Sequence, residues 1–204
     1  MSPRPQGPAL VLASKSAARA ALLTGAGLAF ETAEPGVDEE AAKAAMLADG
    51  AGPREIADAL AELKATRVSR RRSGALVIGA DQTLEIDGML MDKAPDLAAA
   101  RAQLTRLRGK THVLHAAVVV ALDGQPIWRE LKSARLRMRD FSDAYLEAYL
   151  AREGEHVLGS VGCYRMEGEG VQLFERVDGD HFTILGLPLL GLLDLLRRYD
   201  VVAI

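Results

Sequence analysis

The stretch LVLASKSAARAALL, residues 10–23, runs an apolar segment into two serines, a lysine and an arginine, and then directly into alanines and leucines. Residues 9–13, ALVLA, have the length and apolar character of a short buried strand. From about Ser16 towards Gly25 the pattern becomes helical, with glycine placed to close the helix. A strand that turns at once into a helix is the opening unit of an α/β chain. The polar junction between them has two readings: a serine-capped turn, or a cradle in which helix N–H groups receive phosphate.

The same alternation continues outward. Residues 28–34, LAFETAE, read as a second strand ended by Pro35 and Gly36. Residues from Pro53, PREIADALAELKATRVSRR, form the most regular helical pattern, with proline at a permitted first-turn position and Ile56, Leu60, Leu63 and Val68 along one side. LVIGA, 76–80, is a buried strand, and 83–91 is a hairpin turned at Asp87-Gly88. Pro95 to Leu107 is helical. A second hairpin turns at Asp123-Gly124, and its outgoing strand alternates Arg135, Arg137 and Arg139 with apolar residues, which sends the arginines to solvent. After a helix at about 142–152 come a glycine-rich segment that places Cys163 in a strand, a strand VQLFERV, and a last helix from Pro188. The expected architecture is α/β: one domain over 1–204, a mixed twisted sheet with flanking helices, two lobes around a central cleft, and a disordered N-terminus of about 1–7.

Composition narrows the function classes. The 204 residues are 49% hydrophobic, enough for a substantial core, and 26% charged without a long single-sign block. A net charge of −3 gives no general attraction to nucleic acid or an anionic membrane. The basic run RVSRRR, 67–72, suits a solvated helix C-terminus. The single cysteine, Cys163, forms no internal disulfide and suits a reducing compartment and a packing role. MSPRPQGPA lacks a signal-peptide core, and TILGLPLLGLLDLL is too short to span a bilayer, so a cytoplasmic protein is expected. The four histidines are scattered without zinc-site spacing, His112 and His115 falling on opposite faces of one strand.

Polar residues gather where strands are expected to end. Ser14, Lys15, Ser16 and Arg19 follow the first strand, and Asp81 follows LVIGA, where a carboxylate is costly unless it has a partner. Asp81 caps a turn in one reading; in the other it holds a divalent cation or deprotonates water. VDEE, 37–40, is an exposed acidic loop or, through Glu39, a share in a magnesium site. Lys64 sits at the edge of a buried helix face and Lys93 follows the first hairpin; each either snorkels or points into a cleft.

Taken together these segments resemble the Maf family of nucleoside triphosphate pyrophosphatases, relatives of the inosine-triphosphate pyrophosphatases. LASKSAAR, VDEE, LAELKA, VIGADQTLEIDG, DKAPD, LRGKTH, GSVGCYRMEGEG and VDGDHFTILGLPL fall in family order from Leu10 to about Arg197. The resemblance implies hydrolysis of a nucleoside triphosphate to monophosphate and pyrophosphate with magnesium or manganese, and a homodimer, while the charge balance leads to no expected nucleic-acid or membrane partner. It implies Asp81 as the essential carboxylate, Ser16, Arg19, Lys64 and Lys93 as substrate contacts, beside the Ser14 hydroxyl that the junction itself adds to the cradle, and Glu39 with Asp81 as metal ligands. The family positions tied to base choice are Ala18, Gln82 and Glu167; the last two resemble the branch acting on 7-methyl-GTP. Ala17 and Ala18 replace the usual proline and first arginine. That loss lends support to the rival expectation, a nucleotide-binding regulator of cell division or septum formation with little turnover.

Overall fold

The computed structural model describes residues 7–203; the expectation for the N-terminus falls, Gly7 apart, outside the described residues. The architecture is mixed α/β, with a seven-stranded open sheet of order β2-β1-β3-β5-β6-β7 and β4 paired to β3. Its strands are β1 (Leu10–Ala13), β2 (Glu31–Thr32), β3 (Leu76–Ile86), β4 (Met89–Met91), β5 (Thr111–Leu122), β6 (Gln125–Met138) and β7 (Phe174–Asp178). The helices are α1 (Ala17–Gly25), α2 (Glu39–Ala48), α3 (Pro53–Ser69), α4 (Leu97–Leu107), α5 (Asp143–Glu153), α6 (His181–Ile184) and α7 (Leu189–Arg198). β1 runs parallel to both β2 and β3, while β3, β5, β6 and β7 pair antiparallel in succession. Both hairpins form at Asp87-Gly88 and Asp123-Gly124, where all four residues have positive φ, as a two-residue primed turn demands.

β3 is the spine of the molecule. It was expected as two pieces, 76–80 and 83–86, separated by Asp81 and Gln82. Instead it is one eleven-residue strand, held by an unbroken ladder to β5 from Val77 to Glu85. Its other edge is not covered throughout. β1 pairs with 76–79 and β4 with 84–86, so the edge from Ala80 to Thr83 faces a gap in the sheet.

Two apolar cores lie towards opposite ends of this strand. Ile78 and Ala80 pack with Leu12, Leu23, Leu187 and Leu192, against α1 and α7. Leu84 and Ile86 pack with Leu104, Leu107, Leu146 and Tyr149, against α4 and α5. On the opposite face α3 lies close to the sheet through Ala57, Ala61 and Ala65, facing Ala117, Val119 and Ala121. Gly79 permits that approach: a Cβ there would strike the Ala61 carbonyl oxygen and come within 2.5 Å of Ala65 N.

Four further expectations are corrected. The second strand shrinks from 28–34 to two residues, both exposed, because only β1 offers them an edge. The segment 37–40 is no loop: Asp38 caps α2 with its side chain on Ala41 N, and Glu39 and Glu40 sit at the positive end of the helix. Residues 169–173 form a 3-10 turn, and β7 starts only at Phe174. Cys163 is buried in a turn at φ +56° and not in a strand.

Candidate active site

The gap in the sheet opens into a cleft of about 1070 Å³. All ten residues singled out from sequence line it: Ser14, Ser16, Ala18, Arg19, Glu39, Lys64, Asp81, Gln82, Lys93 and Glu167. They come from the β1–α1 junction, α2, α3, the uncovered stretch of β3, the β4–α4 loop and the turn before β7. Asp81 therefore reaches the cleft from mid-strand, through the gap beyond the end of β1, and not from a strand terminus.

Asp81 is 7% exposed and Lys64 is 5% exposed. The Lys64 Nζ donates to Asp81 Oδ1 at 2.7 Å and also lies 2.9 Å from Glu39 Oε2. Alternation along β3 turns Asp81 to the same face as Gly79, and the close seat of α3 over Gly79 puts Lys64 directly above the carboxylate. Burial pushes the Asp81 pKa up, against the pull of the Lys64 and Arg19 cations. A carboxyl held this way is a better proton acceptor than an exposed aspartate.

Arg19 lines the cleft and also braces its wall. The buried guanidinium donates from Nε to Gly186 O at 2.8 Å and from Nη1 to Ala80 O at 2.9 Å and Ser14 Oγ at 3.2 Å. It thus satisfies a carbonyl on the open edge of β3 and ties it to the α6–α7 connection. Burial lowers its pKa, while Asp81 and Glu39 oppose that shift. Ser14 Oγ also accepts from Ser16 N at 3.2 Å, and Ser16 caps α1 by accepting from Arg19 N at 3.4 Å. The serine-capped turn expected as one reading of the junction is present, and it still aims a helix N-terminus into the cleft.

Lys93 stands exposed at the rim, without a hydrogen-bond or ion-pair partner among the described residues. Desolvation, then Arg19, depresses its pKa. Glu39 and Asp81 oppose that shift, so the ammonium feels both carboxylates from its place in the cleft lining.

Gln82 projects from the opposite face of β3. Its Nε2 donates to Thr183 O at 3.1 Å and Ile184 O at 3.0 Å, so the amide nitrogen is occupied and Oε1 is the atom left to a ligand. Glu167, exposed, accepts from Arg165 Nε at 3.3 Å, and Ala18 is half-buried in the first turn of α1. Sequence reading missed Lys43 and Arg165, both of which line the cleft. The signal for Lys43 was its place one turn after Glu39, visible only once 39–48 is known to be helical.

For a metal ion the donors are two carboxylates. Among the described residues no group of three or more His, Cys, Asp or Glu side chains is arranged to hold one. Glu39 and Asp81 nonetheless converge on one point of positive charge, the Lys64 ammonium. Such an oxygen pair suits magnesium, which takes one or two protein carboxylates and completes its shell with substrate phosphates and water. Elsewhere, burial drives the Cys163 thiol up to about 11, and Sγ donates to Gln103 Oε1 at 3.1 Å, a packing role rather than a nucleophile's. Among the described residues no helix is long and apolar enough to cross a membrane.

The description Maf-like protein matches residues 9–199. A nucleoside triphosphate pyrophosphatase of Caulobacter vibrioides is 60% identical over 195 residues, 96% of this chain and 98% of the relative. One from Granulibacter bethesdensis is 50% identical over 195 residues, 96% and 99% of the two chains. A 7-methyl-GTP pyrophosphatase of Brucella abortus is 50% identical over 189 residues, 93% and 95% of the two chains.

Proposed function

The chain belongs to the Maf-like protein family, and from that premise we propose that it is a hydrolase cleaving a nucleoside triphosphate to the monophosphate and pyrophosphate. The observation that carries the assignment of roles is the meeting of Asp81, Glu39 and Lys64 in the gap of the sheet. The triphosphate lies along the N-terminus of α1, where unpaired N–H groups face the phosphates, with Lys64 and Lys93 supplying positive charge. Asp81 accepts the proton of the attacking water. The water oxygen bonds to the α-phosphorus, the α–β bridging bond breaks, and pyrophosphate leaves with its charge met by the lysines. Arg19 keeps the open edge of β3 in place so that Asp81 holds its aim.

Glu39 and Asp81 are the residues that hold magnesium or manganese in this reading. Bound there, the ion neutralises phosphate charge and polarises the reacting phosphoryl group. Lys64 bridges the two carboxylates and lines the same cleft, so its ammonium is at hand for phosphate charge. The family resemblance also supports a homodimer, and the single cysteine suits a reducing, cytoplasmic compartment.

Base choice follows from the groups left over. Gln82 offers Oε1 and Glu167 a carboxylate, both acceptors, which suit the N1–H and exocyclic amine of a guanine-type base. The likeness to a 7-methyl-GTP pyrophosphatase points the same way. Pyrophosphate release across a nucleotide panel tests this: 7-methyl-GTP or GTP is expected to lead, and a clear lead by dTTP or UTP would reject the purine assignment.

A further inference from the structure

We propose that Lys43 is a positioning residue for triphosphate hydrolysis: by anchoring Asp92 it holds Lys93 over the polyphosphate. The inference rests on the nucleotide reading of the cleft given above. Lys43 belongs to α2, one turn after Glu39, and its side chain is only 13% exposed although the helix around it is solvated. Its Nζ donates to Asp92 Oδ1 at 2.5 Å and lies 2.9 Å from Glu40 Oε1. Asp92 immediately precedes Lys93 in the short connection from β4 to α4.

Asp92 is held twice. Lys43 takes its side chain, and Gln103 Nε2 of α4 donates to its backbone oxygen at 2.9 Å. Gln103 Oε1 in turn accepts from Cys163 Sγ, in the turn that leads to Glu167. The loop that presents Lys93 is thereby fastened to α2 on one side and, through α4, to the base-side wall on the other. A flexible lysine with no partner of its own acts at one place only if the backbone beneath it is fixed. An ion pair whose carboxylate is half open to solvent contributes little to stability, so the role of this one lies in orientation.

The test is a set of variants compared by kcat/KM for pyrophosphate release, each checked for an unchanged thermal midpoint. Lys43→Ala and Asp92→Asn are each expected to lower kcat/KM by about tenfold, the scale of one charge-assisted contact. Lys43→Arg, which keeps the charge and the reach, restores most of the loss. In a Lys93→Ala background, Lys43→Ala has no further effect. If Lys43→Ala lowers turnover while Asp92→Asn does not, Lys43 touches the phosphates itself and the positioning role is wrong. Additive losses in the Lys93→Ala background overturn it equally. A wild-type chain that turns over no nucleoside triphosphate removes the reading of the cleft and this proposal together.

Discussion

Replacing Gly79 by alanine puts a methyl group where α3 already touches the sheet. The new Cβ would strike the Ala61 carbonyl oxygen, and it would stand 2.5 Å from Ala65 N and 2.8 Å from Ala65 Cβ, against an ordinary contact of 3.4–4 Å. Restoring a 3.4 Å contact at Ala65 N alone moves the helix by about 0.9 Å, and the still closer Ala61 carbonyl oxygen raises that to a little over 1 Å. Lys64 lies between those two residues on the same helix, so its ammonium moves away from Asp81 Oδ1, now 2.7 Å distant. The expected destabilisation is about 1–3 kcal/mol, as for other overpacked cores. A displacement near 1 Å at a catalytic group lowers kcat/KM by about 10²-fold. Denaturant unfolding and steady-state pyrophosphate release measure the two effects, with Gly25→Ala as control, since nothing lies within 4 Å of a Cβ there. A Gly79→Ala protein as stable and as active as wild type would refute the claim that this close packing sets the Lys64–Asp81 geometry.

Lys64→Met removes a cation that opposes the upward shift of Asp81, so the acid limb of the kcat/KM profile moves to higher pH; an unmoved or downward-shifted limb would contradict the pairing. His112 is buried against Tyr164, its Nε2 2.8 Å from the hydroxyl, and burial lowers its pKa to about 4. Between about pH 4 and 6.5 the unfolded chain binds a proton the folded chain does not, so stability rises with pH through that window. It is fully present above 6.5, lost below 4, and amounts to about 3 kcal/mol. His112→Gln flattens this dependence in unfolding curves taken from pH 4 to 7; an equally steep curve in the variant would rule His112 out as the source.

Much of this fold was legible in the chain because its signals were local. Asp87-Gly88 and Asp123-Gly124 announce their turns through residues that tolerate positive φ, and α3 shows itself by a proline start and a long apolar side. The continuity of β3 was hidden: Asp81 and Gln82 interrupt its apolar run, and only the partner strand β5 reveals that the backbone continues. α2 was invisible for the opposite reason, since none of its residues is buried and no apolar stripe marks it. In the site, residue identities could be read, but not their engagements. That Arg19 stitches backbone carbonyls, and that Gln82 has its amide nitrogen occupied, depend on α6 and its flanks, about a hundred residues or more away in sequence. Lys43 escaped because its partner, Asp92, lies 49 residues away.

The central claim is that the Asp81 carboxylate, held beneath Lys64 at the uncovered edge of β3, accepts the proton in hydrolysis. Pyrophosphate release by Asp81→Asn, measured beside wild type with circular dichroism confirming an intact fold, addresses it directly. The side chain keeps its shape and loses its basicity, so turnover is expected to fall by about 10²–10⁴-fold. A folded variant that retains turnover comparable to wild type would contradict the account.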